Sequence, residues 1–123
     1  MNAIEQARQA YAPTKTPLRS ARSIEHMVFT QATSRMQQAA APGANFATLA
    51  AALNDNRRLW TLLAADVADD DNALPQTLRA QIFYLAEFTN QHTRKVLKGD
   101  AGIAPLVDIN TAMMRGLTAQ EVG

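Results

Sequence analysis

Cysteine is absent from the 123 residues, so neither a disulfide framework nor a thiolate metal site is open to this chain. Excess charge is lacking as well: 12 basic residues face 11 acidic ones for a net +1, too little to draw the chain to nucleic acid by its field alone. Direct RNA contact is therefore not expected. Five glycines occur and none sits in a phosphate-cradling loop. No apolar run approaches the roughly 20 residues that cross a bilayer. The opening MNAIEQARQAY lacks the basic start and apolar core of a secretory signal. A soluble, cytoplasmic protein without membrane contact is the expectation. Aromatics make up only 6% of the chain, which leaves little for strands to use.

What is present is a 47% hydrophobic composition, much of it alanine, and this reads as helical. The length fits one domain over residues 1–123, with a loose tail from about residue 118. The clearest periodicity runs from Phe46 to Val67. Phe46, Leu49, Leu53, Asn56, Trp60, Leu63 and Val67 succeed one another at steps of 3 and 4, the seam of a helix packed along other helices. Ala52, Leu59 and Leu62, followed by Ala65 or Asp66, widen the stripe. Asn56 stands where an apolar side chain belongs, and its amide must find partners or cost about 1–3 kcal/mol.

The remaining helices follow from caps and breakers. Asn2 to Ala12 forms a short helix with Ile4, Ala7, Ala10 and Tyr11 on one side, ended by Pro13. A basic linker leads into a helix from about Ser20 to Ala40, with Ile24, Met27, Val28, Ala32 and Met36 inward. Ala41, Pro42 and Gly43 break it, and Asn45 caps the central helix. Pro75 opens a further helix, with Asn72 as the alternative cap, along Leu78, Ile82, Leu85, Thr89, His92 and Val96. Gly99 supplies its left-handed stop. Pro105 begins a shorter helix with Leu106, Ile109 and Met113 on one face, and Gly116 with Leu117 reads as its end. The expected fold is all-α: an antiparallel bundle of about five helices, three long and a short one at each end.

Chemistry has little to stand on. Asp66, Asp69 and Asp70 could face a divalent ion, but no second acidic cluster opposes them, and a solvated helix end is the better reading. His26 and His92 have no His or Glu at helical metal spacing, and His92 falls on the apolar stripe of its helix. No Ser, Thr or Lys stands in a nucleophile setting. No catalytic residue, metal or cofactor is expected. Trp60 reads first as core, though aromatic anchors also dominate partner interfaces.

Two motifs at fixed separation carry a resemblance. Leu53-Asn54-Asp55-Asn56-Arg57-Arg58-Leu59-Trp60 is followed by Asp66 and by Asn72-Ala73-Leu74-Pro75 with Leu78-Arg79-Ala80. Further on, Gly99 precedes Leu106, and Asp108-Ile109-Asn110 leads to Met113, Met114, Gly116 and Leu117. Ala10-Tyr11 and the series Arg22, Glu25, Phe29, Thr33 and Met36 agree more loosely. With these features the chain resembles the FlaF family of flagellar biosynthesis proteins of alphaproteobacteria. The resemblance implies a non-enzymatic factor with flagellin and FlbT as expected partners. It would act as a secretion chaperone of flagellin or, alternatively, as a post-transcriptional regulator of flagellin synthesis acting with FlbT or on flagellin mRNA. As chaperone, it would seat an amphipathic flagellin segment in a groove between the central helix and the one that follows. Leu59, Trp60, Phe83 and Phe88 would be the anchors, with Asn56 and Arg79 setting register.

Overall fold

The computed structural model describes the backbone of residues 18–122 and the side chains of residues 26–116. Four helices follow one another, α1 (Leu18–Ala39), α2 (Phe46–Ala68), α3 (Gln76–Leu97) and α4 (Ala104–Val122). The fold is all-α, and no strand occurs among the described residues. The short helix expected over residues 2–12 lies outside them.

Local chemistry sets most boundaries. Asn45 is extended at φ −87° and ψ 159°, and its Oδ1 accepts from the Thr48 N–H at 2.8 Å, so α2 starts on a side-chain cap. Gly99, at φ +80°, closes α3 with two bonds: its N–H donates to the Val96 carbonyl at 3.0 Å and the Asp100 N–H to that of Lys95 at 2.9 Å. This pair of bonds is the Schellman arrangement, which only a left-handed residue permits.

Two expected boundaries move. Pro75 holds the N-cap of α3 without a side-chain bond, and Asn72 does not cap that helix. Its Oδ1 instead accepts from the Leu74 N–H at 3.0 Å while its Nδ2 donates to the Asp66 carbonyl at 3.2 Å, so it shapes the turn and closes α2. Gly116 does not end α4, which continues to Val122 as a helix of 19 residues. Neither a positive φ at Gly116 nor a proline beyond it interrupts the backbone, so the short final helix is replaced by a longer one.

The helices form an up-down-up-down bundle. α1 packs on α2 and α4, α2 on α3, and α3 touches α4 more sparingly. Two apolar clusters fill the interior. One holds Phe29, Trp60, Leu63, Val67, Ile82 and Ala86; the other holds Met36, Ala39, Ala52, Leu53, Val96 and Leu106. The second cluster draws on the end of α1, the start of α2, the end of α3 and the start of α4, as antiparallel neighbours require. Phe29 meets Trp60 edge to face with ring centroids 5.6 Å apart.

The buried stripe of α1 is rotated from its expected position. Phe29, Thr33, Met36 and Ala39 are buried, whereas Met27, Val28 and Ala32 are only half-buried. Phe29 has the ring that reaches Trp60, and that contact fixes the rotation. Phe46 also departs from the seam, being 61% exposed at the first position of α2, before the bundle closes around that helix.

Candidate functional site

Every helix contributes polar side chains to one level of the interior. Thr33 lies between Phe29 and Met36 on α1, and Asn56 between Leu53 and Trp60 on α2. Thr89 and Thr93 lie between Ala86 and Val96 on α3, and Asn110 one turn beyond Leu106 on α4; all five are buried. The layer thus separates the two apolar clusters.

Asn110 is its hub. Its Oδ1 accepts the Trp60 indole N–H at 2.8 Å, and its Nδ2 donates to Asn56 Oδ1 at 2.8 Å and to Thr33 Oγ1 at 3.1 Å. Thr33 in turn donates to the Phe29 carbonyl at 2.7 Å, and Thr93 to that of Thr89 at 2.6 Å. Asn56 Nδ2 and Thr89 Oγ1 are buried without a partner. The Asn56 amide is therefore satisfied on its oxygen alone.

The side chains expected to line a flagellin groove fall in different places. Asn56 and Trp60 are sealed in the core and present no surface. Arg79 binds within the chain: its Nε donates to the Val67 carbonyl and its guanidinium Nη2 to the Asp69 carbonyl, both at 2.8 Å. A cation on the last carbonyls of α2 completes a helix end and complements its dipole. Phe83 is exposed. Phe88 stacks on His92 with centroids 5.5 Å apart and planes 13° from parallel. His92 Nε2 lies 2.8 Å from the Gly102 carbonyl; a carbonyl only accepts, so this nitrogen carries the hydrogen and ties α3 to the loop before α4. Asn56 and Trp60 are neighbours inside; Leu59, Phe83 and Phe88 do not meet on one face with them.

Leu59 takes part in another feature. A cavity of 160 Å³ opens between α1 and α2, with Val28 and Ala32 on one side and Ala52 and Leu59 on the other. Gln31, Arg35 and Asp55 complete its lining. Alanines on both walls, Ala32 and Ala52, leave the hollow open because their side chains are too short to fill it. Gln31 Oε1 is buried there without a partner. Among the described residues, Arg35 and Asp55 have no hydrogen-bond or ion-pair partner.

Sequence reasoning found Asn56 but missed Asn110, its main partner. The signal was available: Asn110 stands 4 residues after Leu106 and 3 before Met113, inside the apolar row of α4. The acidic run at the end of α2 is a solvated helix end, with Asp69 as C-cap and its carboxylate accepting the Asp71 N–H at 2.9 Å. Among the described residues no group of three or more His, Cys, Asp or Glu could hold a metal ion. No helix among them is long and apolar enough to cross a membrane.

These features define a helical bundle with a polar-locked core and a small cavity of mixed lining on its side. The chain belongs to the FlaF family, described as flagellar protein FlaF, whose model matches residues 7–117, nearly the whole chain. No curated protein and no solved structure matches the chain.

Proposed function

We propose that this protein is a non-enzymatic, cytoplasmic flagellar biosynthesis factor that binds flagellin as a secretion and assembly chaperone, and so promotes flagellin production and export. The observation that carries this reading is the match of residues 7–117 to a flagellar family. Physical chemistry supports the chaperone form of it. Terminal flagellin segments are amphipathic and pack only within a filament, so a free monomer exposes apolar surface that a helical bundle can cover. Among the described residues, four large apolar side chains remain on the surface: Phe46, Leu62, Phe83 and Tyr84. A net charge of +1 disfavours the alternative of direct mRNA binding, whose affinity phosphate contacts would dominate. FlbT remains the expected second partner.

Calorimetric titration with monomeric flagellin, and with flagellins lacking either terminal segment, tests the reading. Saturable binding that disappears with one truncation, has a negative heat-capacity change and barely responds to salt is the expected result. No binding at tens of micromolar would sink it and favour a regulator acting through FlbT or RNA.

A further inference from the structure

We infer that the α1–α2 cavity receives one apolar side chain of the amphipathic flagellin helix, with Arg35 and Asp55 clamping charged or polar neighbours of that side chain; this rests on the flagellin-binding reading above.

The size of the cavity chooses the class of occupant. Pockets that hold cofactors and small-molecule ligands run from about 300 to 1,000 Å³, whereas a dry cavity of about 150 Å³ takes a molecule the size of benzene. At 160 Å³ this one accommodates a single leucine or aromatic side chain and no cofactor. Its walls have the matching chemistry. The apolar surfaces of Val28, Ala32 and Leu59 receive the knob, and the unbonded Gln31 Oε1 accepts one hydrogen bond from a donor beside it.

Charge gives the partner its further pattern. Arg35 on α1 and Asp55 on α2 border the same cavity, and neither has a partner among the described residues. An occupant with an acid on one side of its knob and a base or amide on the other satisfies both. Residues three or four apart on one helix have that spacing. Leu62, on the Asp55 and Leu59 face of α2 and 37% exposed, extends the apolar track by one turn. The helix-in-groove mode uses such a track.

Ala32→Phe fills the cavity from its wall, and Arg35→Glu reverses a charge on an exposed side chain that the fold does not use. Both are titrated with purified monomeric flagellin beside the wild-type chain, with thermal unfolding as the check on folding. Affinity should fall about tenfold or more for Ala32→Phe, as for loss of a central anchor, and several-fold for Arg35→Glu. Gln91→Ser, at an exposed position on α3, should bind as wild type does. Because the chain lacks cysteine, Leu62→Cys offers a single site for a polarity-sensitive dye, whose emission should shift to the blue when flagellin is added. Wild-type binding with both variants unchanged would overturn this docking site and leave the chaperone reading standing. Failure of the wild-type chain to bind would overturn both. A mass that doubles with concentration and returns to monomer in Arg35→Glu would seat a second copy of the chain there and overturn the assignment.

Discussion

Trp60 and Asn110 are joined by a 2.8 Å hydrogen bond from indole nitrogen to amide oxygen, across 50 residues of sequence and out of reach of solvent. The bond links α2 to α4 diagonally through the centre of the bundle, between helices whose backbones do not approach closely. It also explains why a tryptophan can lie in the core at 1% exposure: its one polar atom has an acceptor.

Asn110→Leu should therefore be costly. It leaves the Trp60 N–H and the whole Asn56 amide buried without partners, at about 1–3 kcal/mol for each of the two newly orphaned groups, so a loss of about 2–6 kcal/mol is expected. Asn56→Leu should cost clearly less. It removes a group whose Nδ2 is already unpartnered, and Asn110 keeps its bonds to Trp60 and Thr33. Urea unfolding of the two variants gives the order. Equal losses would mean that Asn110 is not the hub.

The limits of what the sequence revealed follow from these contacts. Most of α2 was legible because its cap and seam are local: Asn45 bonds Thr48 three residues on, and the buried positions from Leu53 to Val67 keep the 3-and-4 rhythm. α1 was harder. Val28, Phe29 and Ala32 are all apolar, and only the ring of Trp60 on another helix decides which of them faces inward. Asn110 stands inside the apolar row of α4, but its role is not legible there because its partners come from α1 and α2. The cavity was equally hidden. It arises where small residues of two helices, Ala32 and Ala52, line the same space, and no single-helix pattern contains that combination. The groove expected around Asn56 and Trp60 follows from long helices carrying more apolar surface than one seam needs, and a four-helix core buries that surplus instead.

Trp60 is the chain's only tryptophan, so its fluorescence reports on the core alone. Native emission should be blue-shifted and resistant to acrylamide quenching, moving to the red on unfolding. Trp60→Phe keeps a ring against Phe29 but forfeits the indole bond, for about 1–2 kcal/mol. Trp60→Ala should cost about 3–5 kcal/mol through the void it leaves. Strong quenching in the folded protein would contradict the buried position.

Arg79 fastens the α2–α3 turn through two carbonyls at 2.8 Å. Arg79→Met keeps most of the aliphatic stem and removes both bonds. Hydrogen bonds from a charged donor contribute about 1.5–3 kcal/mol when shielded, but the Asp69 end is exposed, so a total loss of about 1–2 kcal/mol is expected. Arg79→Lys should recover little, since an ammonium lacks the fork that reaches two carbonyls at once. Amide exchange should accelerate across residues 69–75 in both variants and remain unchanged around Gly99. Uniform acceleration over the chain would instead place the loss in the core.

Gly99 and Gly116 should respond to alanine with opposite signs. At Gly99 the backbone is left-handed at φ +80°, a conformation that costs an ordinary L residue about 1–2 kcal/mol, so Gly99→Ala destabilises even though its Cβ would meet open space. Gly116 lies within α4 without a positive φ, and a Cβ there also meets nothing within 4 Å. Alanine in a helix interior is favoured over glycine by about 0.5–1 kcal/mol, so Gly116→Ala should raise stability by that amount. The sign at this one position distinguishes two shapes for the end of the molecule. Were Gly116 the left-handed stop that its place before Leu117 suggests, alanine would destabilise there as at Gly99. A rise in the unfolding midpoint for Gly116→Ala beside a fall for Gly99→Ala places the end of α4 beyond Gly116.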